Sequence, residues 1–481
     1  MKDIQISDSK VTVGCPFSDS GQYASTPLKP MKSIRIQKGY DLPISGKPSR
    51  GLAQVAAPEY VASLPERIPF VKPRLAVKEG DRVKIGSILF EDKRNPDVKF
   101  LSPGGGSIHR INFGKRRVIK EIIIKLDGDE EKEQFKAFAD AEMDITKRSD
   151  LVSAIMRGGC WGLFRVLPFG DIPAQETEPP SIIVNIDSKE PFQPSPEVYL
   201  KQTMDLFRFG VNILKKLSKK VHLSVTDTPV DKTPLNGMLT HVVKGPYPCG
   251  EPGVLLYHTK QHPEENKAWT ITGQNLLLLA GLLKNGLYPI ERTVVVAGSR
   301  ADHQQHLSTR IGVPLRLVAG ETLDTPDRSR FIAGGIFSGY PSDKDSYLGF
   351  FETALIILPE GDEKELFGFA RPGFQKPSYS RAFLSSISRD SFSMDCGMHG
   401  EVRACINCGY CSEVCAVDIL PQFTLKSVLA GEVEEALAHG LLDCVSCGLC
   451  TYVCPSKIDI CAGLQKARDA YYYEIYTNHI R

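Results

Sequence analysis

The sequence predicts a multidomain protein of the α/β plus β class, with a C-terminal helical domain built around cysteines. Three observations support this prediction. Short alternating apolar segments separated by Gly and Pro fill residues 31–128, and residues 145–288 combine apolar residues at helical spacing with apolar strands. Eight of the thirteen cysteines lie in two runs near the C-terminus. At 481 residues, 42% of them hydrophobic, the chain is long enough for about three domains.

Composition excludes several classes of protein. Acidic and basic residues nearly balance at a net charge of +2, so no concentrated basic surface for nucleic acid is expected. The longest apolar stretches, such as Leu276 to Leu279, are far shorter than the roughly 18 residues that span a bilayer. Many unpaired cysteines and the absence of a secretory pattern in the first residues predict a reducing, cytoplasmic location.

The N-terminal third is predicted to be an extension followed by a β domain. Residues 1–30 are rich in Ser, Asp and Pro and are expected to form a flexible extension. In residues 31–128, the segment from Val77 to Leu89 and the later Ser102 to Ile108 resemble the barrel-sandwich fold of lipoyl carrier domains. Lys93 lies near the position of a carrier's modified lysine, but the following stretch is longer than in that family. We therefore expect an unmodified structural barrel.

The middle of the chain is predicted to hold an α/β domain at 145–288 and a small β-grasp-like module of the SLBB type at 289–361. Leu200, Phe207 and Leu214 lie on one helical face, and Val221 to Val225 follows as a buried strand. Strands are also expected near Arg292 to Ala297 and Ala354 to Leu358. Residues 362–399 are expected to be a linker, and 400–475 the cysteine domain.

The cysteine runs share one spacing, in which each cysteine follows the last after two, two and three residues. This is the ligand spacing of two 4Fe–4S clusters, and in two-cluster ferredoxins the last cysteine of each run binds the other cluster. We therefore predict a first cluster held by Cys405, Cys408, Cys411 and Cys454, and a second held by Cys444, Cys447, Cys450 and Cys415. Gly409 and Gly448 allow the backbone to turn closely around each cluster.

Zinc and disulfides are the alternatives for these cysteines, and both fit less well. Zinc sites usually close with two CxxC pairs or with histidines, whereas each run here already holds four cysteines in ferredoxin order. Disulfide frameworks suit short secreted chains. Short helices from Phe423 to Leu429 and Val433 to Leu441, broken at Gly431, are expected between the runs. The other cysteines are expected to be ordinary thiols: Cys15, Cys160, Cys249, Cys396 and Cys461.

Two segments carry a resemblance to a known family. Residues 38–48 (KGYDLPISGKP) and 88–96 (ILFEDKRNP) closely resemble the N-terminus of the A subunit of the Na+-translocating NADH:quinone oxidoreductases. The resemblance extends from about residue 31 to the end and includes 245–248, 418–421 and 450–455. Familiar members of that family have lost most of these cysteines, whereas here both motifs are complete, as in the related C subunit of the Rnf complex. The resemblance therefore implies a cluster-bearing version.

The Rnf C subunit and the flavoprotein subunit of respiratory complex I carry a glycine-rich loop that cradles flavin phosphate. The α/β domain at 145–288 resembles a degenerate form of the FMN/NADH domain of that flavoprotein. The corresponding segment here runs from Met156 to Arg165 and keeps Gly158, Gly159 and Gly162, but bulky residues interrupt it. Glu190 keeps the Glu-Pro of the nucleotide-facing segment in those relatives. The resemblance implies a degraded site for FMN or NADH at these four residues; a solvent-exposed turn at Glu190 is the alternative.

The leading hypothesis is a peripheral subunit of a Na+-translocating NADH:quinone reductase, on the cytoplasmic side of the inner membrane. The resemblance implies membrane and flavin subunits as partners and quinone as substrate, and the clusters imply electron transfer. The alternatives are an Rnf-type NADH:ferredoxin oxidoreductase subunit that binds FMN and NADH, and an assembly scaffold with structural clusters. No catalytic acid or base is expected, because the histidines are isolated in sequence.

Overall fold

The computed structural model describes residues 31–143, 145–227, 235, 237–320, 328–361 and 372–478, with side chains of the last helix described to residue 475. The predicted N-terminal extension, 1–30, and the first part of the predicted linker, 362–371, lie outside the described residues.

The described strands are, in chain order, β1 (Lys32–Arg35), β2 (Ser49–Gln54), β3 (Tyr60–Ser63), β4 (Pro73–Leu75), β5 (Arg82–Val83), β6 (Ile88–Asp92), β7 (Asn95–Leu101), β8 (Gly106–Phe113), β9 (Ile119–Leu126), β10 (Arg165–Val166), β11 (Ile182–Asn185), β12 (Val221–Thr226), β13 (His241–Lys244), β14 (Trp269–Thr272), β15 (Glu291–Ala297), β16 (Gln305–Arg310), β17 (Ser329–Ala333), β18 (Tyr340–Ser342) and β19 (Ala354–Pro359).

The described α-helices are α1 (Asp140–Met143), α2 (Arg148–Arg157), α3 (Pro196–Tyr199), α4 (Met204–Leu217), α5 (Pro252–Thr259), α6 (Gly273–Asn285), α7 (Leu315–Ala319), α8 (Tyr410–Glu413), α9 (Pro421–Ala430), α10 (Val433–Ala438), α11 (Leu449–Tyr452) and α12 (Ile460–Asn478).

The barrel-sandwich domain consists of two small antiparallel sheets, β3-β9-β8-β5 and β4-β6-β7. Alternation along β9 buries Ile122 and Ile124 completely, because every second side chain of a strand points to the same face. Phe90 and Phe100 stack across the β6–β7 pair with ring centroids 4.7 Å apart. The predicted barrel is confirmed.

The α/β domain has a sheet in the order β1-β13-β12-β11-β14-β10, in which β11 runs parallel to both β12 and β14. The predicted helical periodicity is confirmed in α4, whose Phe207 and Leu214 are fully buried, whereas Leu200 lies before this helix, at the end of α3. Helix α4 packs closely on α6, because Gly210 has no side chain where a Cβ would collide with Leu276. Closely packed helices on a mainly parallel sheet explain the apolar sequence of this region.

Within the segment from residue 31 to 54, the two strands pair with sheets outside the barrel. Strand β1 pairs in parallel with β13 of the α/β sheet. Strand β2 pairs in parallel with β16 and completes the third sheet, β18-β17-β19-β15-β16-β2. The physical reason at β1 is burial: Ile34 and Ile36 pack in an apolar cluster that also includes cysteines of the C-terminal domain.

The C-terminal domain is helical, as predicted. Helices α9 and α10 are separated at Gly431, whose left-handed φ of 79° ends the first helix. Helix α12 packs along α9 and reaches the barrel. There Arg94, at the β6–β7 turn, donates hydrogen bonds to Asp171 (2.9 and 3.0 Å) and to the Tyr472 hydroxyl (2.6 Å). The turn beside Lys93 is therefore tied to two other domains.

Candidate functional site

The two cysteine runs fold as copies of one backbone motif. Each position in the first run has its counterpart 39 residues later, since Cys405 corresponds to Cys444. Left-handed conformations recur at Asn407 and Gly409, with φ of 56° and 83°, and at their counterparts 446 and 448, with φ of 55° and 79°. A short helix, α8 or α11, then follows in both copies. The chain thus turns twice within each CxxCxxC segment.

These turns direct backbone N–H groups towards cysteine sulfur. In the first run the amide of Asn407 lies 3.4 Å from the Sγ of Cys405. In the second run the amide of Ser446 donates to the Cys444 sulfur. Successive N–H groups around a left-handed residue form a concave donor set, and such hydrogen bonds stabilise the negative charge of cluster thiolates. The backbone of both runs is therefore suited to anionic sulfur.

One set of thiols, here called the inner site, encloses a cavity inside the C-terminal domain. Cys444, Cys447 and Cys450 of the second run and Cys415 of the first line this cavity, and so do Cys411 of the first run and Cys461. Apolar side chains, including Ile419 and Leu464, form the rest of its wall. The first four are the thiols that we predict for the second cluster, and they form the inner site; Cys411 belongs to the set predicted for the first cluster.

The second set, here called the outer site, lies nearer the surface. Cys405 and Cys408 are exposed, whereas Cys411 and Cys454 are buried. Two hydrogen bonds join the start of the first run to the end of the second: the Oγ of Ser456 donates to the Ala404 carbonyl, and the Arg403 amide donates to the Ser456 carbonyl, both at 2.9 Å. These contacts hold Cys454 beside the first run.

Burial controls the acidity of the inner thiols. It raises the pKa of Cys415 to about 11 and also raises the pKa of Cys444 and Cys447, whereas backbone N–H donors oppose the shift. The metal-free thiols are thus protonated at neutral pH, and binding of iron must release these protons. Eight soft sulfur donors, four in each run, fit the chemistry of 4Fe–4S clusters.

The predicted flavin loop is filled by the protein itself. A Cβ on Gly158 would collide with Leu282, and one on Gly159 would collide with Leu101. Trp161 is 1% exposed, packs against Trp269 and donates a hydrogen bond of 2.8 Å from its indole nitrogen to the Pro173 carbonyl. Gly162 faces Phe100 at close to ordinary contact distance. The structure brings these three glycines together around side chains of the barrel and of α6.

Glu190 is buried, at 7% exposure, and it binds the third sheet's glycine turn. Its carboxylate accepts hydrogen bonds from the backbone amides of Phe337 (2.8 Å) and Ser338 (2.9 Å) and from the Ser338 hydroxyl (2.8 Å). Burial raises the pKa of Glu190, and these donors oppose the shift. Glu190 lies apart from the three glycines in this contact network.

Comparison with known proteins identifies the family. The NqrA N-terminal barrel-sandwich hybrid domain matches residues 34–127, the NqrA second alpha/beta domain matches 146–288, and a 4Fe-4S dicluster domain matches 404–458. The A subunit of the Na(+)-translocating NADH-quinone reductase of Neisseria meningitidis is 31% identical over 417 residues, and that of Vibrio alginolyticus is 32% identical over 413; each alignment covers 85% of this chain and 92% of the relative.

The chain belongs to the A-subunit family of Na+-translocating NADH-quinone reductases. This membership agrees with the barrel and the α/β domain, which are the two family domains that match. A crystal structure of an NAD+-reducing NiFe hydrogenase covers 69% of this chain and 67% of its own, but at 13% identity and a TM-score of 0.36 it establishes no common fold. Within the described residues, no helix is both long and apolar enough to cross a membrane.

In this member of the A-subunit family, sequence reasoning missed residues that link the site to other domains. The Tyr247 hydroxyl donates to the Cys447 carbonyl at 2.9 Å, and its ring stacks on Phe337 with centroids 5.2 Å apart. Because Glu190 holds the Phe337 amide, a continuous set of contacts joins the α/β domain to the inner site. Burial, followed by the charge of Glu190, raises the pKa of nearby Glu251 to about 7.

Two further side chains touch the cysteine sets. The Oε1 of Gln422 lies 3.0 Å from the Sγ of Cys411. Cys461, which was expected to be an ordinary thiol, lines the inner cavity and is within hydrogen-bonding reach of the Cys450 thiol. The 39-residue repeat is the sequence feature that could have revealed this pair, since Gln422 and Cys461 occupy equivalent positions.

Proposed function

We propose that this protein is the peripheral A subunit of a Na+-translocating NADH:quinone reductase and that it carries two 4Fe–4S clusters. The observation that carries the proposal is the membership of the A-subunit family, at 31% identity over 85% of the chain, in a protein with two complete cysteine runs. The relatives from Neisseria and Vibrio are components of an NADH-quinone reductase. Electron transfer toward quinone, coupled to sodium transport by the complex, is the corresponding function.

The chain's own residues hold, orient and enclose the clusters. Cys405, Cys408, Cys411 and Cys454 hold the outer cluster, and Cys444, Cys447, Cys450 and Cys415 hold the inner cluster. When bound, the clusters supply one-electron chemistry. The backbone amides in the turns donate to the thiolate sulfurs, and apolar side chains such as Ile419 exclude water from the inner site. Tyr247 fixes the loop at Cys447 against the α/β domain.

We also propose that the loop at Gly158, Gly159 and Gly162 packs domains together and does not bind FMN or NADH. Phosphate binding requires backbone amides that a ligand can approach, whereas Leu282 and Leu101 occupy the positions facing two of these glycines. Glu190 is equally occupied, because its carboxylate accepts three hydrogen bonds from the turn at Phe337 and Ser338. This packing favours the leading function over an Rnf-type flavin-binding protein.

The proposed partners are the membrane and flavin subunits of the same complex, on the cytoplasmic side of the inner membrane. Quinone is the proposed electron acceptor of that complex. We expect no nucleic-acid partner, because acidic and basic residues nearly balance at a net charge of +2.

The proposal is tested first on the protein purified without oxygen. Iron, acid-labile sulfide and flavin are measured, and EPR spectra are recorded before and after addition of NADH and then dithionite. We expect about eight irons per chain, no flavin, no response to NADH alone and reduction by dithionite. Bound FMN with clusters that NADH reduces would support the Rnf-type function, and clusters that never change redox state would support the scaffold.

A second experiment, on membranes of the source organism, tests whether this chain is a component of the NADH:quinone reductase complex. Washing that strips this chain should abolish NADH-dependent quinone reduction, and adding back the purified protein should restore it. Two variants are added back in parallel. Cys447→Ser removes an inner-site ligand and is the test variant, and Cys396→Ser alters a cysteine of neither site and is its matched control. Full activity of stripped membranes would refute the assignment to the complex.

A further inference from the structure

The repeat that builds the two sites also places a different side chain at the same position in each. Gln422 is the second residue of α9 and Cys461 is the second residue of α12, and they are 39 positions apart, like the cysteines themselves. Each lies on the helix that follows its own cysteine run. The two halves therefore share an equivalent position, which carries an amide side chain in the first half and a thiol in the second.

The contacts of the two residues are also equivalent. Gln422 contacts the third cysteine of the first run, Cys411, and its Oε1 accepts a hydrogen bond of 2.7 Å from the hydroxyl of the next residue, Ser412. Cys461 contacts the third cysteine of the second run, and its amide donates at 2.9 Å to the hydroxyl of the next residue, Thr451. In each half, one side chain outside the predicted ligands therefore contacts the sulfur of the third cysteine of that run.

These two side chains offer hydrogen bonds of unequal strength. A ligated thiolate only accepts hydrogen bonds, and the two ends of an amide are assigned from their partners. With the Gln422 amide turned over, its NH2 lies where Oε1 is in the metal-free protein, so that it donates to the Cys411 sulfur and to the Ser412 hydroxyl, which then accepts. Cys461 can present only an S–H, which is a weak donor. Exposure acts in the same direction, because Cys405 and Cys408 of the outer site are exposed, whereas none of the four inner thiols is.

Both differences act on the free energy of adding an electron. Reduction makes a cluster more negative, which burial in apolar surroundings opposes and which strong hydrogen bonds and water favour. We infer that Gln422 and Cys461 are positioning residues that make the two sites unequal, with the outer site the more easily reduced. This inference rests on the proposed function, in that it requires a 4Fe–4S cluster in each site.

The test is an EPR-monitored redox titration of the full-length, cluster-loaded protein. The wild type should titrate in two separate waves. Cys408→Ser assigns them, because it removes a ligand of the outer site alone and should abolish the wave of higher potential. Iron and sulfide are measured on every sample, which reports whether each variant has kept its clusters.

The decisive variants exchange the two side chains. Cys461→Gln should raise the lower potential and leave the other unchanged, and Gln422→Cys should lower the higher potential. The double exchange should bring the two waves closer together. Cys461→Ser, which keeps the size and a hydroxyl donor, should shift the lower potential less than Cys461→Gln does.

The outcomes separate this inference from the proposed function. Full iron content with potentials that neither exchange moves would overturn the inference alone, and so would a higher potential at the inner site. A wild-type protein that binds no iron would overturn the proposed function, and the inference with it. If Cys461→Gln does not retain its inner cluster, the shifts in Gln422→Cys and Cys461→Ser decide the question.

Discussion

Two loops of this protein contain glycines in a sequence suited to holding a cofactor, and the structure surrounds them differently. At Gly158 and Gly159 the space beyond the backbone is occupied by leucines of neighbouring elements. At Gly409 no atom lies within 4 Å of the position that a Cβ would take. Glycine permits close approach in both places, but in the first loop the approaching group is the protein's own core.

Glycine content alone therefore does not identify a cofactor site. Cys160 and Trp161 are each 1% exposed, so the first loop contributes large buried side chains to the interface between the barrel and α6. In the cysteine loops the left-handed residues instead direct amides at thiols. What a glycine faces, and which side chains alternate with it, decides between packing and binding.

The largest expected effect concerns the cysteine loops. Cys450→Ala removes a ligand of the inner site, and iron should fall from about eight to about four per chain because each cluster requires four thiolates. Iron analysis after anaerobic purification measures this. Cys249→Ala serves as a control, since Cys249 is buried in the α/β domain. Equal iron in the two variants would contradict the assignment of Cys450 to a cluster.

The glycine loop should respond through stability. Trp161→Ala removes a fully buried indole that packs on Trp269, and we expect a loss of about 3 to 5 kcal/mol in the free energy of unfolding. Denaturant unfolding measures the loss, and iron content should stay at the wild-type value. A variant as stable as the wild type would show that the loop is not part of the core.

The carboxyl group of Glu251, near the contacts that link the α/β domain to the inner site, should respond to pH. Its pKa is raised to about 7 by burial and by Glu190, whereas an unfolded Glu titrates near 4.3. Between these two pKa values the folded state binds more of this proton than the unfolded state does. The free energy of unfolding therefore falls as pH rises through this range, and the contribution of the protonated carboxyl is lost above pH 7. Glu251→Gln should therefore be more stable than the wild type by about 3 to 4 kcal/mol at pH 8 and nearly equal to it near pH 4.5.

Thermal unfolding of both proteins at the two pH values measures this difference. A gap in melting temperature that does not depend on pH would contradict a buried, titrating Glu251, and would point to altered packing instead.

The smallest expected effect compares two glycines directly. Gly158→Ala should cost about 1 to 3 kcal/mol, because the added methyl collides with Leu282. Gly128→Ala is the matched control: no atom lies within 4 Å of its Cβ position, and we expect a change within about 0.5 kcal/mol. If both substitutions are neutral in denaturant unfolding, the glycine loop has more free space than the structure shows.

Local patterns in the sequence predicted much of this architecture. The repeated cysteine spacing predicted the 4Fe-4S dicluster domain that matches residues 404–458. Gly431 marked the break between α9 and α10, because a left-handed glycine ends a helix whatever surrounds it. The helical spacing around Phe207 likewise predicted α4. These features depend on residues that are close in sequence.

Non-local pairing could not be predicted in the same way. The alternation in β1 indicates a strand, but the choice between the barrel and the α/β sheet depends on a partner, β13, some 200 residues away. The filling of the glycine loop depends on Leu101 and Leu282, which come from two different domains. Cys461 carried no cysteine spacing of its own, and only its position in the repeat relates it to Gln422.

The junction at Arg94 has a consequence for the order in which the protein is assembled. Asp92, Arg94 and Asp171 are made early in synthesis, whereas Tyr472, which completes their hydrogen bonds, leaves the ribosome about 300 residues after Asp171. Until Tyr472 is synthesised, the charged group of Asp92, Arg94 and Asp171 lacks the hydroxyl that completes its hydrogen bonds. Helix α12 therefore packs only after both cysteine runs have been synthesised. The same helix completes the folding of the barrel and encloses the inner site.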